Sequence, residues 1–213
     1  ILSESPDLHL QVGQPPVIRL KTGALDTLNH PALTEADVRG VIDQITSVDQ
    51  KKRFAENREL DFSYHVGELS RFRVNIYEER NGSAIAFRVI SEKIPTFEQL
   101  GLTETVGRFA NLPHGLVLVT GTTGMGKTST LASIVNTINQ TQRRHIITIE
   151  DPIEFVYPKG QSLVTQREVN VHTHTFAIAI RSALRQDPDV VMVGEMRDLE
   201  TISTALTAAE TGH

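Results

Sequence analysis

Apolar and polar positions alternate at the start of the chain. Leu8, Leu10 and Val12 alternate with polar residues, and a second apolar segment, 17–20, follows a Pro-containing turn at residues 13–16. Alternation with a period of two is typical of strands that bury one face. The two segments and the turn between them predict a β-hairpin.

The next pattern has helical spacing. Thr34 and Asp37 stand three residues apart, as in a capping box at a helix N-terminus. Apolar residues then recur every three or four positions, at Val38, Val41, Ile42 and Ile45. The pattern predicts a helix over roughly residues 34–48.

Period-two alternation returns in three segments, around residues 62–66, 71–77 and 85–89. In the second segment the apolar side chains share one face, so Arg71 and Arg73 must point to the other. Arg88 likewise lies opposite its apolar neighbours. These segments predict a mixed sheet with one face open to solvent or to a partner.

The pattern changes after Pro95. Continuous apolar runs at 116–120, 146–149 and 190–193 are separated by long segments with helical spacing. Such runs are typical of parallel strands that are covered on both faces. The helices are predicted to bury Leu131, Ile134, Val135 and Ile138; Phe176, Ile180, Ala183 and Leu184; and, from Asp198 to a stop at Gly212, Leu199, Ile202, Leu206 and Ala209.

The change in pattern predicts two domains. We expect an α+β domain over residues 1–93, a linker at 94–100 and a parallel α/β domain over residues 101–213. The predicted fold class is therefore α/β, preceded by a smaller α+β domain.

Composition narrows the function. The chain has 213 residues, of which 39% are hydrophobic and 22% charged, and this composition is ordinary for a folded domain. Its net charge of −5 gives no general basic surface for binding nucleic acid. The absence of cysteine excludes disulfides and thiolate metal sites. No apolar run approaches the roughly 20 residues that span a bilayer. These features predict a soluble cytoplasmic protein without direct membrane insertion.

The strongest motif is a glycine-rich loop before a predicted helix. It fits G-x-x-x-x-G-K-[ST], and with the next residue it comprises Gly121, Thr122, Thr123, Gly124, Met125, Gly126, Lys127, Thr128 and Ser129. Backbone N–H groups of such a loop and the helix N-terminus bind phosphates. We expect Lys127 to reach the β- and γ-phosphates of ATP and the Thr128 hydroxyl to ligate Mg²⁺. An incidental glycine-rich turn is the alternative.

Three carboxylates follow the predicted strand 146–149, in the sequence Glu150-Asp151-Pro152-Ile153-Glu154. In a parallel sheet, the C-terminal ends of the strands meet at the edge where ligands bind. Carboxylates concentrated there repel one another unless a cation or hydrogen-bond donors offset the charge. A turn that caps a helix is the alternative interpretation.

The third cluster follows the predicted strand 190–193. A magnesium-binding strand usually ends in Asp, but here Gly194 takes that position and Glu195 follows. One glutamate could orient an attacking water molecule without also holding the metal. A surface glutamate without a role is the alternative.

Together these stretches resemble the type II/IV secretion ATPase superfamily, and within it the twitching-motility ATPases that retract type IV pili (PilT-like). The resemblance rests on residues 121–128, 148–155, 185–201 and 208–213, which match that family's Walker A, Asp, Walker B and His boxes. Residues 7–10, 13–16 and 71–75 also resemble the family's N-terminal domain. The resemblance implies a RecA-like P-loop core, with a parallel sheet incomplete at its C-terminus, after a PAS-like N-terminal domain.

The resemblance also implies roles for individual residues. Glu195 is the expected catalytic glutamate that polarises the attacking water, and Glu154 is expected to help position that water and the waters of the metal. His213 belongs to the His box. Arg73 and Arg88 match arginines that reach the γ-phosphate, often from a neighbouring subunit; for both, an ordinary surface arginine remains the alternative.

The sequence also departs from the family. His172 and His174 stand where the family usually carries an Asp, which puts the role of that Asp in doubt; a metal site there would need further ligands. Family members continue beyond His213, so the chain is expected to be a fragment and, by itself, a weak or inactive ATPase.

The resemblance implies a hexameric ATP-driven motor for pilus retraction, peripheral to the inner membrane through a pilus platform protein. Three alternatives remain open: a related pilus-assembly or secretion ATPase, a nucleotide-binding regulator of the pilus machine that does not hydrolyse, and a nucleic-acid motor. The acidic balance disfavours the last, and the presence of Lys127, Thr128, Glu154 and Glu195 disfavours a site without hydrolysis.

Overall fold

The computed structural model describes residues 7–20, 22–66, 70–90, 93–122 and 124–213 of the chain. Contacts divide the chain into two compact units, Ile1–Ser91 and Glu92–His213. Each unit contains buried apolar clusters of its own.

Within the described residues of the first unit, six strands form one antiparallel sheet. They are β1 (Asp7–Gln11), β2 (Val17–Arg19), β3 (Leu25–Thr27), β4 (Glu59–Val66), β5 (Ser70–Glu79) and β6 (Gly82–Ile90), in the order β3-β2-β1-β6-β5-β4. The predicted hairpin is confirmed by the pairing of β1 with β2. The prediction of a mixed sheet is wrong, because every strand pair in this sheet is antiparallel. Short connections join β1 to β2, β2 to β3 and β5 to β6, and neighbouring strands joined in this way run antiparallel.

Two helices, α1 (Glu35–Ile45) and α2 (Val48–Asn57), accompany this sheet. The prediction of α1 is confirmed: the Asp37 N–H donates to Thr34 Oγ1 (3.2 Å), and the Thr34 N–H donates to Asp37 Oδ2 (2.8 Å). Val38 and Ile42 of α1 are buried in the core of the unit. The sequence does not predict helix α2, because residues 48–57 contain no apolar stripe with helical spacing. In the structure these residues are all exposed or only partly buried.

One face of the first sheet forms the core. Phe72, Val74 and Ile76 of β5 are buried there with side chains from α1, β4 and β6. This confirms the predicted direction of the apolar side chains, and strand alternation places Arg73 and Arg88 on the opposite face.

The second unit is an α/β structure with a parallel sheet. Its elements are α3 (Glu104–Gly107), a 3-10 helix (Arg108–Asn111), α4 (Lys127–Thr141), β7 (His145–Glu150), β8 (Leu163–Glu168), α5 (Phe176–Ala183), β9 (Val190–Val193) and α6 (Leu199–Glu210). The strand order among described residues is β8-β7-β9, with both pairs parallel. The predicted strands at 146–149 and 190–193 and the parallel arrangement are confirmed.

Both faces of this sheet are covered. Ile146 and Met192 pack with Ile134, Val135 and Ile138 of α4. On the other face, Ile147 and Ile149 pack with apolar residues from the two later helices, among them Ala179, Ile180, Ala205 and Ala208.

The predicted strand at 116–120 is not a strand in the structure. The segment has no regular secondary structure and belongs to no ladder among the described residues. Leu116 and Leu118 are 44% and 58% exposed, so one face of the segment has no covering layer within the described chain. A parallel strand of this composition requires cover on both faces.

The predicted buried face of α6 is also wrong. Thr201, Ala205 and Ala208 are buried, whereas Leu199 and Leu206 are 84% and 46% exposed. The small residues allow α6 to approach its neighbours closely, and the larger apolar residues point outwards.

Candidate functional site

The glycine-rich loop lies directly before α4. Gly124 and Gly126 have φ angles of 83° and 81°, a left-handed conformation that glycine adopts without strain. Gly126 is also the N-cap of α4 and has no side chain that could occupy the N–H groups of the first turn. No capping side chain from the described residues therefore occupies the first-turn N–H groups, and the positive end of this helix can bind an anion such as phosphate.

Lys127 and Thr128 begin α4, and Ser129 follows them in its first turn. Lys127 Nζ donates to the backbone oxygens of Gly121 (2.8 Å) and Thr122 (2.9 Å). The ammonium group thus lies across the loop. Thr123, also predicted to bind nucleotide, lies outside the described residues.

Glu150 ends β7 with its side chain buried. Its carboxylate accepts hydrogen bonds from Thr148 Oγ1 (2.6 Å), Gln166 Nε2 (3.2 Å) and the backbone N–H of Glu154 (3.4 Å). Burial raises the pKa of the Glu150 carboxyl despite these bonds, because burial disfavours its charged form.

A second buried carboxylate stands beside Glu150. Glu168 pairs with Glu150 in the register of β7 and β8, is 2% exposed and accepts a hydrogen bond from the Ile153 N–H (3.1 Å). Residues 151–162 contain no helix, so the alternative of a helix cap is wrong. The structure thus shows a loop after β7 that is held by carboxylates from two strands.

Gly194 and Glu195 continue β9 at the same edge of the sheet. The Gly194 N–H donates to the Ile149 oxygen (2.8 Å), so the backbone stays paired to β7 beyond the last strand residue. Glu195 is partly exposed and forms an ion pair with Arg197 (Oε2 to Nη2, 2.9 Å). Asp198 then caps α6 by accepting from the Thr201 N–H (2.8 Å).

A cavity of about 550 Å³ links the loop to β9. Most residues that line the cavity are apolar, and they come mainly from the 109–121 segment, α4, β9 and α6. The cavity as a whole therefore does not resemble a phosphate site. Gly121, Lys127 and Glu195 give it a polar end. The structure therefore brings these three predicted residues to one cavity, whereas Glu154 is not among the described residues that line it.

Comparison with known proteins identifies the family. The sequence profile of the family described as "Type II/IV secretion system protein" matches residues 5–213. The chain belongs to this family.

Two curated relatives and one solved structure share most of the chain. The "Type IV pilus retractation ATPase PilT" of Pseudomonas aeruginosa is 51% identical over 97% of this chain and 60% of its own length. A "Twitching motility protein" of Neisseria gonorrhoeae is 47% identical over 93% of this chain and 53% of its own length. A crystal structure of the pilus retraction motor PilT with bound ADP has a TM-score of 0.93 and 47% identity, and covers 100% of this chain and 62% of that one.

These likenesses confirm the predicted fold, a RecA-like α/β core after an N-terminal domain. The chain spans about 60% of the Pseudomonas relative's length. In the part of the chain that the structure describes, no helix is both long and apolar enough to cross a membrane.

His213, which is predicted to belong to the His box, lines the same cavity as Lys127. Its backbone oxygen accepts a hydrogen bond from the Gly115 N–H (3.1 Å), and its Nδ1 lies 3.2 Å from both Ala208 O and Thr211 Oγ1. These contacts connect the end of α6 to the segment that leads into the glycine-rich loop.

The two histidines that depart from the family pattern have no metal-binding partners among the described residues. His172 Nδ1 accepts a hydrogen bond from the Glu168 N–H (2.9 Å). The ring of His172 therefore contributes to the turn after β8 as a hydrogen-bond acceptor.

The two candidate arginines of this family member are adjacent in its first sheet. Arg73 and Arg88 are register partners on β5 and β6. Arg73 binds both oxygens of Asp61, with Nη2 at 2.6 Å from Oδ2, and Arg88 binds those of Asp7 at 2.8 and 3.2 Å. The Arg88 hydrogen bond is the main reason that the pKa of Asp7 lies below its usual value. A role in phosphate binding stays a prediction.

Residues that hold Glu150 in place were not predicted. Thr148 and Gln166 bond to its carboxylate from β7 and β8, and β8 itself was missed. Its sequence, Leu163-Val164-Thr165-Gln166-Arg167-Glu168, is too polar to read as a buried strand. The available signal was a polar residue two positions before a strand-ending carboxylate, which is too common to be specific.

Proposed function

We propose that this chain is the ATP-hydrolysing part of a motor that retracts type IV pili and so drives twitching motility. The observation that carries the proposal is the arrangement of Lys127 and Thr128 at the N-terminus of α4, with Lys127 and Glu195 on one cavity. The name of the Pseudomonas relative supports retraction, and that of the Neisseria relative supports twitching motility.

In this proposal, the glycine-rich loop binds the phosphates of ATP. The first-turn N–H groups of α4 and the loop backbone donate to phosphate oxygens. Lys127 Nζ, which now donates to two loop carbonyls, exchanges them for the β- and γ-phosphates. The ADP bound in the related PilT crystal structure supports a nucleotide as the ligand.

The oxygen donors of this region fit a magnesium ion. Mg²⁺ prefers oxygen ligands and usually keeps several waters, so one or two protein groups and the phosphates suffice. The described residues contain no cluster of three side chains that could hold a metal alone, whereas the Thr128 hydroxyl lies in the first turn of α4. Thr128 is the protein ligand in this proposal. When bound, Mg²⁺ neutralises charge on the β- and γ-phosphates.

Glu195 orients the attacking water. It is partly exposed, lines the cavity and has one oxygen fixed by Arg197. Glu154 assists from the loop after β7, where its N–H is bonded to Glu150. Removing a residue that positions or activates the water should slow turnover about 10²- to 10⁴-fold.

We test these roles in the full-length protein with Glu195→Ala, measuring phosphate release and the binding of a fluorescent ATP analogue. Binding should be retained while turnover falls at least about tenfold. Glu98→Ala, which removes an exposed glutamate in a turn of the same unit, is the control and should match the wild type. Unchanged turnover in Glu195→Ala would overturn the assignment.

The working assembly is proposed to be a hexamer attached to an inner-membrane platform protein, with Arg73 and Arg88 reaching the γ-phosphate of a neighbouring subunit. Guanidinium groups bind carboxylates and phosphates with the same planar geometry, so each arginine can exchange its present carboxylate for phosphate. Arg73→Ala should lower turnover of the full-length oligomer without weakening ATP binding. Arg39→Ala, which breaks a surface pair with Glu35, is the matched control; equal turnover of both variants would overturn the role.

The 213-residue chain alone should hydrolyse ATP weakly. Residues 116–120, which lead into the glycine-rich loop, belong to no ladder among the described residues, so the loop lacks the support that a paired strand would give it. Phosphate release from this chain should be lower than from the full-length protein at equal nucleotide occupancy. Equal rates would contradict this proposal.

A further inference from the structure

The side chain of Glu150 and position 194 share one face of the parallel sheet. On β7, strand alternation places Ile146, Thr148 and Glu150 on one side, and Ile146 packs with α4. On β9, Met192 packs with the same helix, so a side chain at position 194 would point to that side as well. This is the side of the sheet that carries the glycine-rich loop at the start of α4.

Gly194 has little room for a side chain. A Cβ atom there would lie 3.2 Å from Ile149 O, 3.4 Å from Glu150 Cα and 3.9 Å from Glu150 Cγ. An aspartate at this position would therefore extend alongside the first carbons of Glu150. The tight contact is with the backbone oxygen of Ile149, and the Glu150 side chain lies beside the same position at an ordinary contact distance.

The Glu150 carboxylate is held in a fixed position. Thr148 and Gln166 bond to Oε1, and the Glu154 N–H donates to Oε2. Three partners from β7, β8 and the following loop restrict its rotation. An oriented, buried carboxylate of this kind is what aligns the water ligands of a metal ion.

From this arrangement, and resting on the proposed ATP site, we propose that Glu150 supplies the metal-facing carboxylate that β9 lacks at Gly194. It accepts hydrogen bonds from waters on the Mg²⁺ that Thr128 and the nucleotide phosphates hold. Glu195 is then left to act on the attacking water alone. The functions usually combined at the end of one strand are divided between two adjacent strands.

The test measures nucleotide binding rather than turnover. The dissociation constant of a fluorescent ADP analogue is determined for the full-length protein in excess Mg²⁺ and again in EDTA. Glu150→Gln should reduce the tightening caused by Mg²⁺ by about tenfold, since loss of a carboxylate that orients metal ligands costs about 10- to 100-fold in metal affinity. Its affinity in EDTA should stay at the wild-type value.

Glu168→Gln is the matched control. Glu168 is equally buried and stands opposite Glu150 on β8, but β7 separates its strand from β9 and Gly194. Its variant should keep the full Mg²⁺ effect. Thermal unfolding of both variants checks that a reduced Mg²⁺ effect does not come from loss of the fold.

A pair of double variants tests whether a carboxylate on β9 can replace the one on β7. Glu150→Ala/Gly194→Asp moves the carboxylate to the usual strand position, and Glu150→Ala/Gly194→Ala leaves neither position charged. The first should recover part of the Mg²⁺ effect and the second none. Equal Mg²⁺ dependence of the two, or an undiminished effect in Glu150→Gln, would overturn the inference while leaving the ATP site intact. Loss of nucleotide binding by the wild type itself would overturn both.

Discussion

Replacing Gly160 with alanine tests the contact between α4 and the loop that follows the acidic segment. An added Cβ would lie 2.5 Å from both the backbone and the side-chain oxygen of Asn139 and 2.7 Å from Asn139 Cγ. Asn139 is fully buried on α4, donates from Nδ2 to Pro158 O (2.8 Å) and accepts at its backbone oxygen from the Gln161 N–H (2.7 Å). The new methyl group therefore meets a residue whose backbone oxygen and side-chain nitrogen are both hydrogen-bonded, although its Oδ1 has no hydrogen-bond partner among the described residues.

The expected cost follows from these contacts. Overpacking a tight interior site costs about 1–3 kcal/mol, and displacing Asn139 weakens at least one buried hydrogen bond worth about 1 kcal/mol. We therefore expect Gly160→Ala to lower the free energy of unfolding by about 2–4 kcal/mol. In a domain of this size, that lowers the melting temperature by roughly 10 °C.

The assay is thermal and urea unfolding followed by circular dichroism. Gly107→Ala in the same unit is the matched control: Gly107 has helical angles of φ −59° and ψ −28°, and its added Cβ would make ordinary contact with the Phe97 ring at 3.6 Å. That variant should gain about 0.4–1 kcal/mol, because alanine narrows the unfolded ensemble. If the two variants unfolded at the same temperature, the reasoning from the Gly160 contact would be refuted.

Three further predictions concern caps and buried charge. Thr34→Ala should destabilise the first unit by about 1 kcal/mol in chemical denaturation, because it removes the side-chain acceptor at the start of α1; Thr34→Ser should retain most of that stability, and equal losses would contradict the cap. The pKa of Glu150 is raised in the folded state, so the folded protein binds more protons than the unfolded chain and its stability should fall as pH rises above about 4.3. Glu150→Gln should flatten this part of the plot of stability against pH. An unchanged slope would show that Glu150 is not the group responsible. Hydrogen bonds from Thr201 lower the pKa of Asp198, so its contribution is present at neutral pH and is lost as pH falls through its folded-state pKa; Asp198→Asn should show less loss of stability in acid than the wild type, measured by thermal unfolding.

The sequence predicted elements whose pattern is local. Thr34 and Asp37 define the start of α1 by themselves, and the continuous apolar runs of β7 and β9 require burial on both faces. The glycine-rich loop is recognisable because the spacing of its glycines, lysine and threonine is that of a phosphate-binding loop. In these cases the information lies within a few residues of the feature that it determines.

Features that depend on distant partners were missed or misread. Residues 116–120 have the composition of a strand but lack a ladder in the described chain, and composition alone does not supply a neighbour. The buried face of α6 follows its small residues, Thr201, Ala205 and Ala208, since close packing favoured them over the larger apolar stripe. The relation of Gly194 to Glu150 depends on the register of two strands about forty-five residues apart, which no local pattern shows.

The order of strands in the first sheet also bears on how the unit folds. Strands β1 to β3 and β4 to β6 are two meanders of neighbours in sequence, and only the pairing of β1 with β6 joins them among the described residues. That junction brings together residues as far apart as Asp7 and Arg88, separated by 81 positions. Contacts between distant segments form slowly because a long loop must close first. The closure of β1 onto β6 is therefore expected to limit the folding rate of this unit, and its two meanders to form before the sheet is complete.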